Sequence, residues 1–424
     1  MLRHGEIRSL YQPIVDLATG GIVAYEALAR GPVGTPLEMP GALFPAAEQA
    51  GLLAELDWAC QRAALDGART AGLGADLMLF VNVEPGLLGA TVPATLASAR
   101  RAAAAQFRLV LEISERAVLD DPAALLGMVR HARAEGWLLA IDDVGVNPES
   151  LSLMPLIDPD VIKLDMTIVQ GQPTRATGRL LTAVLAQCER NGATILAEGI
   201  ENEAHHARAI GLGASLGQGW RFGRPGPLLP STARLTRNGP RNLALDPNGR
   251  THTATTPSTP FALAANMLEP RPCSKDLLLA ITYDIEDQAV ALAADSPVLL
   301  GAFQTTERYG RRTARRYERI ARSCTLTAAF AAGITSDTAS RVRTGSLSPS
   351  DPLTGEWTVV VISPHFATAL IARDLGDRGA DHDRRFEYVI THDRGLVARA
   401  ACSLLDRLPA ATTAGHEHGA PVQR

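Results

Sequence analysis

Short hydrophobic runs alternate with longer amphipathic stretches over the first half of the chain. The runs predict β-strands at residues 21–28, 77–83, 109–113, 138–141, 161–164 and 194–197. Between them, residues 42–70, 122–135 and 175–191 repeat apolar positions at the spacing of amphipathic helices. Strands and helices in alternation predict βα units around a parallel sheet, which is either open or closed into a barrel.

The hydrophobic pattern lapses between Gly226 and Pro260, where proline, glycine and threonine dominate. Such a segment lacks the apolar side chains that would offset the entropy of ordering it, so it predicts a linker. Beyond it, helices over 275–294 and 307–323, strands over 298–303, 325–330, 357–362 and 386–391, and a final helix predict a smaller α/β or α+β domain. We therefore divide the 424 residues into a first domain (1–228), a flexible linker (229–260), a second domain (261–409) and a disordered tail (410–424).

Each strand of the first domain ends in, or is followed by, a polar residue. These residues are Glu26, Asn82, Glu112, the pair Asp142 and Asp143, Lys163 with Asp165, and Glu198. A single acidic residue at a strand end is as often a helix cap or a surface charge, but in a parallel barrel a whole series would meet on one face. Two like charges 4 Å apart repel by roughly 4 kcal/mol at an effective dielectric near 20, so such a cluster needs cations. Oxygen ligands without Cys or His favour Mg²⁺ or Mn²⁺, and two adjacent aspartates suit a two-metal site for displacement at phosphorus.

The composition and net charge of the chain exclude some classes of function. A net charge of −4 gives no general attraction to nucleic acid or to an anionic membrane. The five cysteines are scattered and lack C-x-x-C spacing, which is typical of a reducing compartment. The sequence also has no signal-like apolar segment and no run of about 18 apolar residues, so we expect a cytoplasmic protein that binds neither a nucleic-acid polymer nor a membrane.

Lysine occurs only twice among the 41 basic residues, at Lys163 and Lys275. A compact ammonium at the end of the strand 161–164 can touch a phosphate or orient a water molecule where a planar guanidinium would not fit. The alternative is a chance lysine on a strand. We favour a functional role for Lys163.

An ordered series of short motifs extends over residues 9 to 226. It consists of YQPIVD (11–16), EALAR (26–30), FVNV (80–83), EISE (112–115), DD (142–143), IKLD (162–165), AEGIE (197–201) and QGWRFGRP (218–225). In this order the motifs resemble the signatures of EAL domains over essentially a full domain. The resemblance implies a TIM-like (β/α)8 barrel that hydrolyses cyclic di-GMP to linear pGpG with two Mg²⁺ or Mn²⁺ ions, and it is compatible with a homodimer.

The resemblance also implies roles for individual residues at the centre of the site. The first metal ion would be held by Glu26, Asn82, Glu112 and Asp142, with Asp142 and Asp143 reaching the second. Lys163 would orient the attacking water. Glu198 would be either a further acid at the metals or the general base, so turnover would depend on Glu26, Lys163 and Glu198.

Other family positions would surround this centre. Gln12 and Gln218 would contact the nucleotide, and Arg30 would hold a phosphate. Three residues would support the site, namely Glu115, which would anchor the loop after the paired aspartates, Asp165 and Glu201.

The main departure from the family lies in that loop. The family usually has DDFGTGYSSL, whereas residues 142–151 here are DDVGVNPESL, and Pro148 stiffens the turn. In the family this loop helps to position the second metal and the dimer contact. Two functions therefore stay open: a phosphodiesterase, favoured by the intact acids, Asn82 and Lys163, and a receptor that captures cyclic di-GMP without cutting it, favoured by the altered loop. A transcriptional or scaffold protein is a third reading, for which the sequence shows no DNA-reading motif.

The second domain resembles, more weakly, a DICT sensory domain. The supporting segments are SKDLLL (274–279), YDIE (283–286), WTVVV (357–361) and RFEYVITHDR (385–394). The resemblance implies that the second domain regulates the first. The arginine-rich stretch 308–322 fits a solvated helix face better than a nucleic-acid patch, because Glu307 and Glu318 balance it.

Overall fold

The computed structural model of the chain describes residues 6–84, 92–114, 121–146, 151–228, 259–337, 339–377 and 380–409. Its strands form two sheets, which are a closed eight-stranded barrel in the first domain and a seven-stranded sheet in the second. Residues 229–258 of the predicted linker and the tail 410–424 lie outside the described residues. The first helix after the linker begins at Pro260, with Thr259 as its cap.

The barrel strands follow the order of the chain, and the last strand pairs with the first. They are β1 (Arg8–Asp16), β2 (Ile22–Arg30), β3 (Met78–Asn82), β4 (Arg108–Ser114), β5 (Leu138–Val144), β6 (Val161–Leu164), β7 (Thr194–Ala197) and β8 (Leu216–Gln218). The predicted TIM-like barrel is thereby confirmed, and the hydrophobic runs correspond to β2 to β7. Alternate side chains fill the barrel interior or pack under the helices, so both faces are buried and the strands have near-continuous apolar sequences.

The first strand differs from the parallel sheet that the pattern predicts. β1 is antiparallel to both β2 and β8. A tight turn joins β1 to β2, with Gly20 at a φ of +71°, and an antiparallel pair is what so short a connection permits. As a result, Gln12 at the middle of β1 lies opposite Glu26 at the middle of β2.

Helices cover the outside of the barrel. They are α1 (Pro40–Gln49), α2 (Leu53–Thr70), α3 (Ala94–Ala104), α4 (Pro122–Ala134), α5 (Met154–Ile157), α6 (Met166–Gln170), α7 (Arg175–Asn191) and α8 (Glu203–Gly211). The single helix predicted over 42–70 is two helices, because the chain turns at Gly51, whose φ of +66° is left-handed. α4 begins behind Asp121, whose side chain accepts a hydrogen bond from the backbone N–H of Ala124 at 3.0 Å.

The second domain has a mixed sheet, whose strands are β9 (Arg271–Ser274), β10 (Val298–Thr305), β11 (Leu326–Ala332), β12 (Val342–Leu347), β13 (Glu356–Ile362), β14 (Ala367–Asp374) and β15 (Arg385–Thr391). Their order in the sheet is β12-β11-β10-β13-β14-β15-β9. Its helices are α9 (Pro260–Ala265), α10 (Lys275–Ala291), α11 (Thr306–Tyr309), α12 (Arg311–Ile320) and α13 (Arg394–Leu405). Within the described ranges, no helix of either domain is both long enough and apolar enough to span a membrane.

The last helix, α13, packs against α4 and α5 of the barrel. Buried apolar side chains of both domains, among them Leu153 and Leu404, belong to one contiguous cluster. Arg130 on α4 donates to both carboxylate oxygens of Asp406, at 2.7 and 2.6 Å. The Ser152 hydroxyl donates to the backbone carbonyl of Asp295 at 2.9 Å. The second domain therefore contacts the barrel directly beside the segment that follows β5.

Candidate active site

The carboxyl ends of the parallel strands form one rim of the barrel, as the fold requires. The register places Asn82 of β3 opposite Glu112 of β4, and Asp142 of β5 opposite Ser114 at the end of β4. Six of the predicted side chains meet here, each within 3.8 Å of another, and they are Glu26, Asn82, Glu112, Asp142, Lys163 and Glu198.

A bulge in β5 orients the paired aspartates. In a regular strand, neighbouring side chains point to opposite faces, so Asp142 and Asp143 could not both reach the rim. The register between β5 and β6 shifts by one residue between Ile141 and Val144, and Asp143 has a φ of +56°. Aspartate is among the few residue types that adopt this left-handed conformation readily. The extra residue therefore re-aims one carboxylate, as bulges near functional sites commonly do.

Lys163 lies at the centre of the cluster and is fully buried. Its Nζ atom is 2.5 Å from Glu112 Oε1, 2.8 Å from Asp142 Oδ1 and 2.8 Å from Glu198 Oε1. Glu26 Oε1 is farther away, at 3.8 Å. One ammonium is thus surrounded by carboxylates from four different strands or strand ends.

Burial and neighbouring charges both shift the pKa values of these groups. Burial would lower the pKa of Lys163, but the neighbouring carboxylates of Asp142, Glu112 and Glu198 outweigh it and hold that pKa well above its usual value. Burial raises the pKa of Glu112 well above its usual range, and the charge of Glu26 adds to the rise. The pKa of Glu198 is also raised, mainly by burial, although Lys163 opposes the rise. Lys163 alone therefore does not offset the effect of burial on the ionised forms of Glu112 and Glu198.

Side-chain amides on β1, β3 and β8 form hydrogen bonds at the acidic centre. Asn82 Nδ2 donates to Glu112 Oε2 at 2.9 Å and lies 3.4 Å from Glu26 Oε1. Gln218 Nε2 donates to Glu26 Oε2 at 2.6 Å and contacts Gln12 Oε1 at 3.1 Å. These bonds fix the orientation of the Glu26 carboxylate, so Gln12 and Gln218 lie beside the acidic centre.

Two groups of carboxylates have the spacing of a metal site. Glu26, Glu112 and Asp142 each offer an oxygen within 4.8 Å of the other two, and so do Asp142, Asp143 and Glu198. Asp142 belongs to both groups. The donor atoms are all oxygen, which suits hard divalent cations.

The other predicted positions make local contacts of their own. Arg30 is buried at the end of β2, where its Nη1 donates to the carbonyl of Ala29 at 2.7 Å. Asp165 caps α6 by accepting from the backbone N–H of Thr167 at 2.8 Å. Glu201 is exposed, and Glu115 lies outside the described residues.

Trp220 is a residue at this rim that the sequence reasoning did not single out. It follows β8 by two residues and is 54% exposed. The Arg224 guanidinium lies over its ring, 3.8 Å from the centroid. Exposure of so large an aromatic ring beside a polar cleft is the signal that could have marked it, but exposure is visible only in the folded chain.

The fold and the site together define an α/β-barrel protein with an acidic, oxygen-rich centre at the carboxyl ends of its parallel strands. Residues 1–225, more than half of the chain, match the EAL domain family, and the chain belongs to that family. Residues 261–375 match DICT, described as a sensory domain in diguanylate cyclases and two-component systems.

Several known proteins are similar to the barrel half of the chain. Cyclic di-GMP phosphodiesterase RocR of Pseudomonas aeruginosa is 32% identical over 234 residues, which are 53% of this chain and 59% of RocR. An uncharacterized protein of Mycobacterium tuberculosis is 32% identical over 228 residues, which are 52% of this chain and 37% of that protein. The match thus spans less than two thirds of either relative.

Two solved structures are similar over the same half. PaMucR phosphodiesterase in its c-di-GMP complex has 27% identity and a TM-score of 0.46, covering 53% of this chain and 94% of that chain. The manganese and cyclic di-GMP complex of Klebsiella pneumoniae BlrP1 has 28% identity and a TM-score of 0.46, covering 52% of this chain and 56% of that chain.

Proposed function

We propose that this protein is a metal-dependent phosphodiesterase that hydrolyses cyclic di-GMP to linear pGpG and so lowers the level of that second messenger. The observation that carries the proposal is the pair of three-carboxylate groups that share Asp142. Membership of the EAL family and similarity to RocR, whose name states this activity, support the choice of substrate.

The donor set fits two divalent cations, Mg²⁺ or Mn²⁺. With all five carboxyls ionised, they and the ammonium of Lys163 have a formal charge of −4, which two such ions match. Glu26, Asn82, Glu112 and Asp142 would hold one ion, and Asp142 with Asp143 the other. Bound there, the ions would lower the pKa of water and offset charge on the scissile phosphate.

The protein's own groups would position the reactants. We assign Lys163 to the orientation of the attacking water, because its ammonium is held at one point by three carboxylates within 2.8 Å. Glu198, whose Oε1 is 2.8 Å from that ammonium, would be a further acid at the metals or the general base. Glu26, fixed by Gln218 at 2.6 Å, would keep its ligand geometry without rearrangement.

The nucleotide would lie along the rim formed by β1, β2 and β8. Gln12 and Gln218 contact each other beside Glu26, and we assign their amides to contacts with a guanine or ribose. Arg30, farther along β2, would hold a phosphate. Trp220 offers an exposed flat face on which a base can stack.

Regulation by the second domain is part of the proposal. Its contacts reach the barrel at Arg130, Ser152 and the α5 carbonyl of Leu156, to which Cys402 Sγ points at 3.7 Å. In the sequence, Ser152 comes directly after the loop that departs from the family pattern. Residues 147–150 of that loop lie outside the described residues. A shift of the second domain would therefore act first on the segment that leads away from Asp142 and Asp143.

The same proposal includes the division of the chain into domains at 1–228 and 261–409, a cytoplasmic location and a homodimer. The two family matches, which end at 225 and begin at 261, support the division. Light scattering of the purified full chain measures the oligomeric state.

The alternative is a receptor that binds cyclic di-GMP without cutting it, which the altered loop favours. The test is to incubate the purified full chain with cyclic di-GMP and Mn²⁺ and to separate the nucleotides by chromatography. The phosphodiesterase proposal expects pGpG to accumulate. Binding of cyclic di-GMP with no pGpG after prolonged incubation would favour the receptor.

A further inference from the structure

The second domain contains a cavity that the proposed phosphodiesterase activity does not use. Its volume is about 140 Å³. It lies between helix and sheet, and is lined by Thr282 of α10, Phe303 of β10, Arg308 of α11, Arg316 of α12 and Trp357 of β13. The cavity thus lies where three helices meet two strands of the sheet.

Two buried polar atoms in its wall lack partners. Among the residues that the structure describes, neither Thr282 Oγ1 nor Trp357 Nε1 has a hydrogen-bond partner, although Thr282 is 1% exposed. An indole N–H can only donate, whereas a hydroxyl can donate or accept. Because buried polar groups are nearly always satisfied in folded proteins, these two atoms point to a ligand that offers a hydrogen-bond acceptor.

The charge around the cavity is positive. Lys275, Arg308 and Arg316 line it, and it has no carboxylate among its described lining residues. Lys275 and Arg308 share one acidic partner, Asp381, which is half exposed. Arg316 is paired with Glu286, at 2.6 Å. Three cations against two carboxylates leave a surplus of one positive charge, which suits a ligand with a single negative charge.

The remaining wall is aromatic and held rigidly. Phe303 packs against Tyr309 and Tyr317, with ring centroids 5.1 and 5.2 Å apart, and Trp357 packs edge-on against Phe386 at 5.9 Å. Such ring pairs fix the orientation of the wall. A planar apolar body would therefore find a preformed surface.

From these features we propose that the cavity binds a small monocyclic aromatic carboxylate. An engineered cavity of about 150 Å³ in another protein holds one benzene molecule, so a volume near 140 Å³ accommodates a single ring. The ring would lie against Phe303 and Trp357. Its carboxylate would accept from Trp357 Nε1 and Thr282 Oγ1 and balance the surplus charge of Lys275 and Arg308.

Benzoate is the probe for the test, titrated into the full chain by isothermal calorimetry, with benzamide and acetate as matched controls. Benzamide keeps the ring without the charge, and acetate keeps the charge without the ring. We expect benzoate to bind with one-to-one stoichiometry, and both controls to bind at least about tenfold more weakly. Absence of benzoate binding at millimolar concentration, or equal binding of acetate or benzamide, would overturn the proposal.

Variants separate the cavity from other sites. Thr282→Val and Arg308→Gln should each weaken benzoate binding about tenfold, whereas Arg312→Gln, an exposed arginine on α12, should leave it unchanged. Thr282→Val should also raise the melting temperature of the ligand-free protein, because it removes an unpaired buried hydroxyl. Benzoate affinity that is the same in Thr282→Val, Arg308→Gln and Arg312→Gln would contradict the assignment. The binding readout does not depend on hydrolysis of cyclic di-GMP, so the two proposals can fail separately.

Discussion

Replacing Lys163 by arginine tests whether the ammonium at the centre of the rim acts in turnover. Lys163→Arg keeps the charge, so the attraction between the site and an anionic nucleotide is retained. A guanidinium, however, cannot place one compact donor 2.5 to 2.8 Å from three carboxylates at once. The variant therefore alters the position of the donor and leaves the charge unchanged.

The size of the effect follows from the geometry. Loss of one positioned donor in an enclosed site commonly lowers the rate by roughly 10²–10³, or about 3–4 kcal/mol of barrier. Lys163 is fully buried, so the larger guanidinium also overpacks the barrel and destabilises the fold by about 1–3 kcal/mol. Affinity for cyclic di-GMP should change by less than about tenfold.

The assay measures initial rates of pGpG formation and the dissociation constant of cyclic di-GMP on the same preparation, well below the melting temperature of the variant. Arg62→Lys is the matched control, because it exchanges the same two side chains on α2, where Arg62 is 56% exposed. Its rate and affinity should equal those of the unaltered protein. Near-normal turnover in Lys163→Arg would refute the positioning role and leave Lys163 a structural residue of β6.

The remaining predictions concern the acids and the two domains. Glu26→Ala should abolish most turnover in the pGpG assay and leave the circular dichroism melt nearly unchanged, because Glu26 belongs to the acidic cluster and not to the apolar core. Gross unfolding would contradict this. In denaturant unfolding, Arg130→Met removes a surface ion pair and should lower the free energy of unfolding by at most about 1 kcal/mol. Leu404→Ala, in the apolar cluster shared by both domains, should lower it by about 2–5 kcal/mol. Equal losses would show that the ion pair holds the domains together. Burial raises the pKa of Glu356 from 4.5 to about 7, so the folded state keeps this proton at pH values where the unfolded state has lost it. The contribution of Glu356 to stability should therefore fall by about 3 kcal/mol as the pH rises from 4.5 to 7. Glu356→Gln should reduce the fall by that amount in stability curves measured from pH 4 to 8, where other buried carboxyls such as Glu198 also contribute, and an unchanged slope would rule out a contribution of Glu356.

The parallel part of the barrel was predictable from the sequence because its strands are buried on both faces. Continuous apolar runs such as Val161–Leu164 follow from that burial, and a polar residue at each run's end marks the rim. The direction of β1 was not predictable in this way, since hydrophobic patterning carries no information on strand direction. The short turn near Gly20 is the feature that sets it.

Other parts depend on tertiary contacts. β14 (Ala367–Asp374) is rich in alanine, a strong helix former, and becomes a strand because it pairs with β13 and β15. The bulge at Asp142 and Asp143 is likewise set by pairing with β6. The adjacency of the two aspartates suggested two metal ions, but a regular strand would have sent one side chain away from the site.

The most direct test of the metal centre is to strip the full chain of metal with a chelator, remove the chelator, and titrate Mn²⁺ while following pGpG formation. We expect no turnover in the stripped protein and full recovery as Mn²⁺ is added. Asp142, which belongs to both carboxylate groups, should be required for the binding of each ion. Hydrolysis of cyclic di-GMP at an undiminished rate by the metal-free protein would contradict the account.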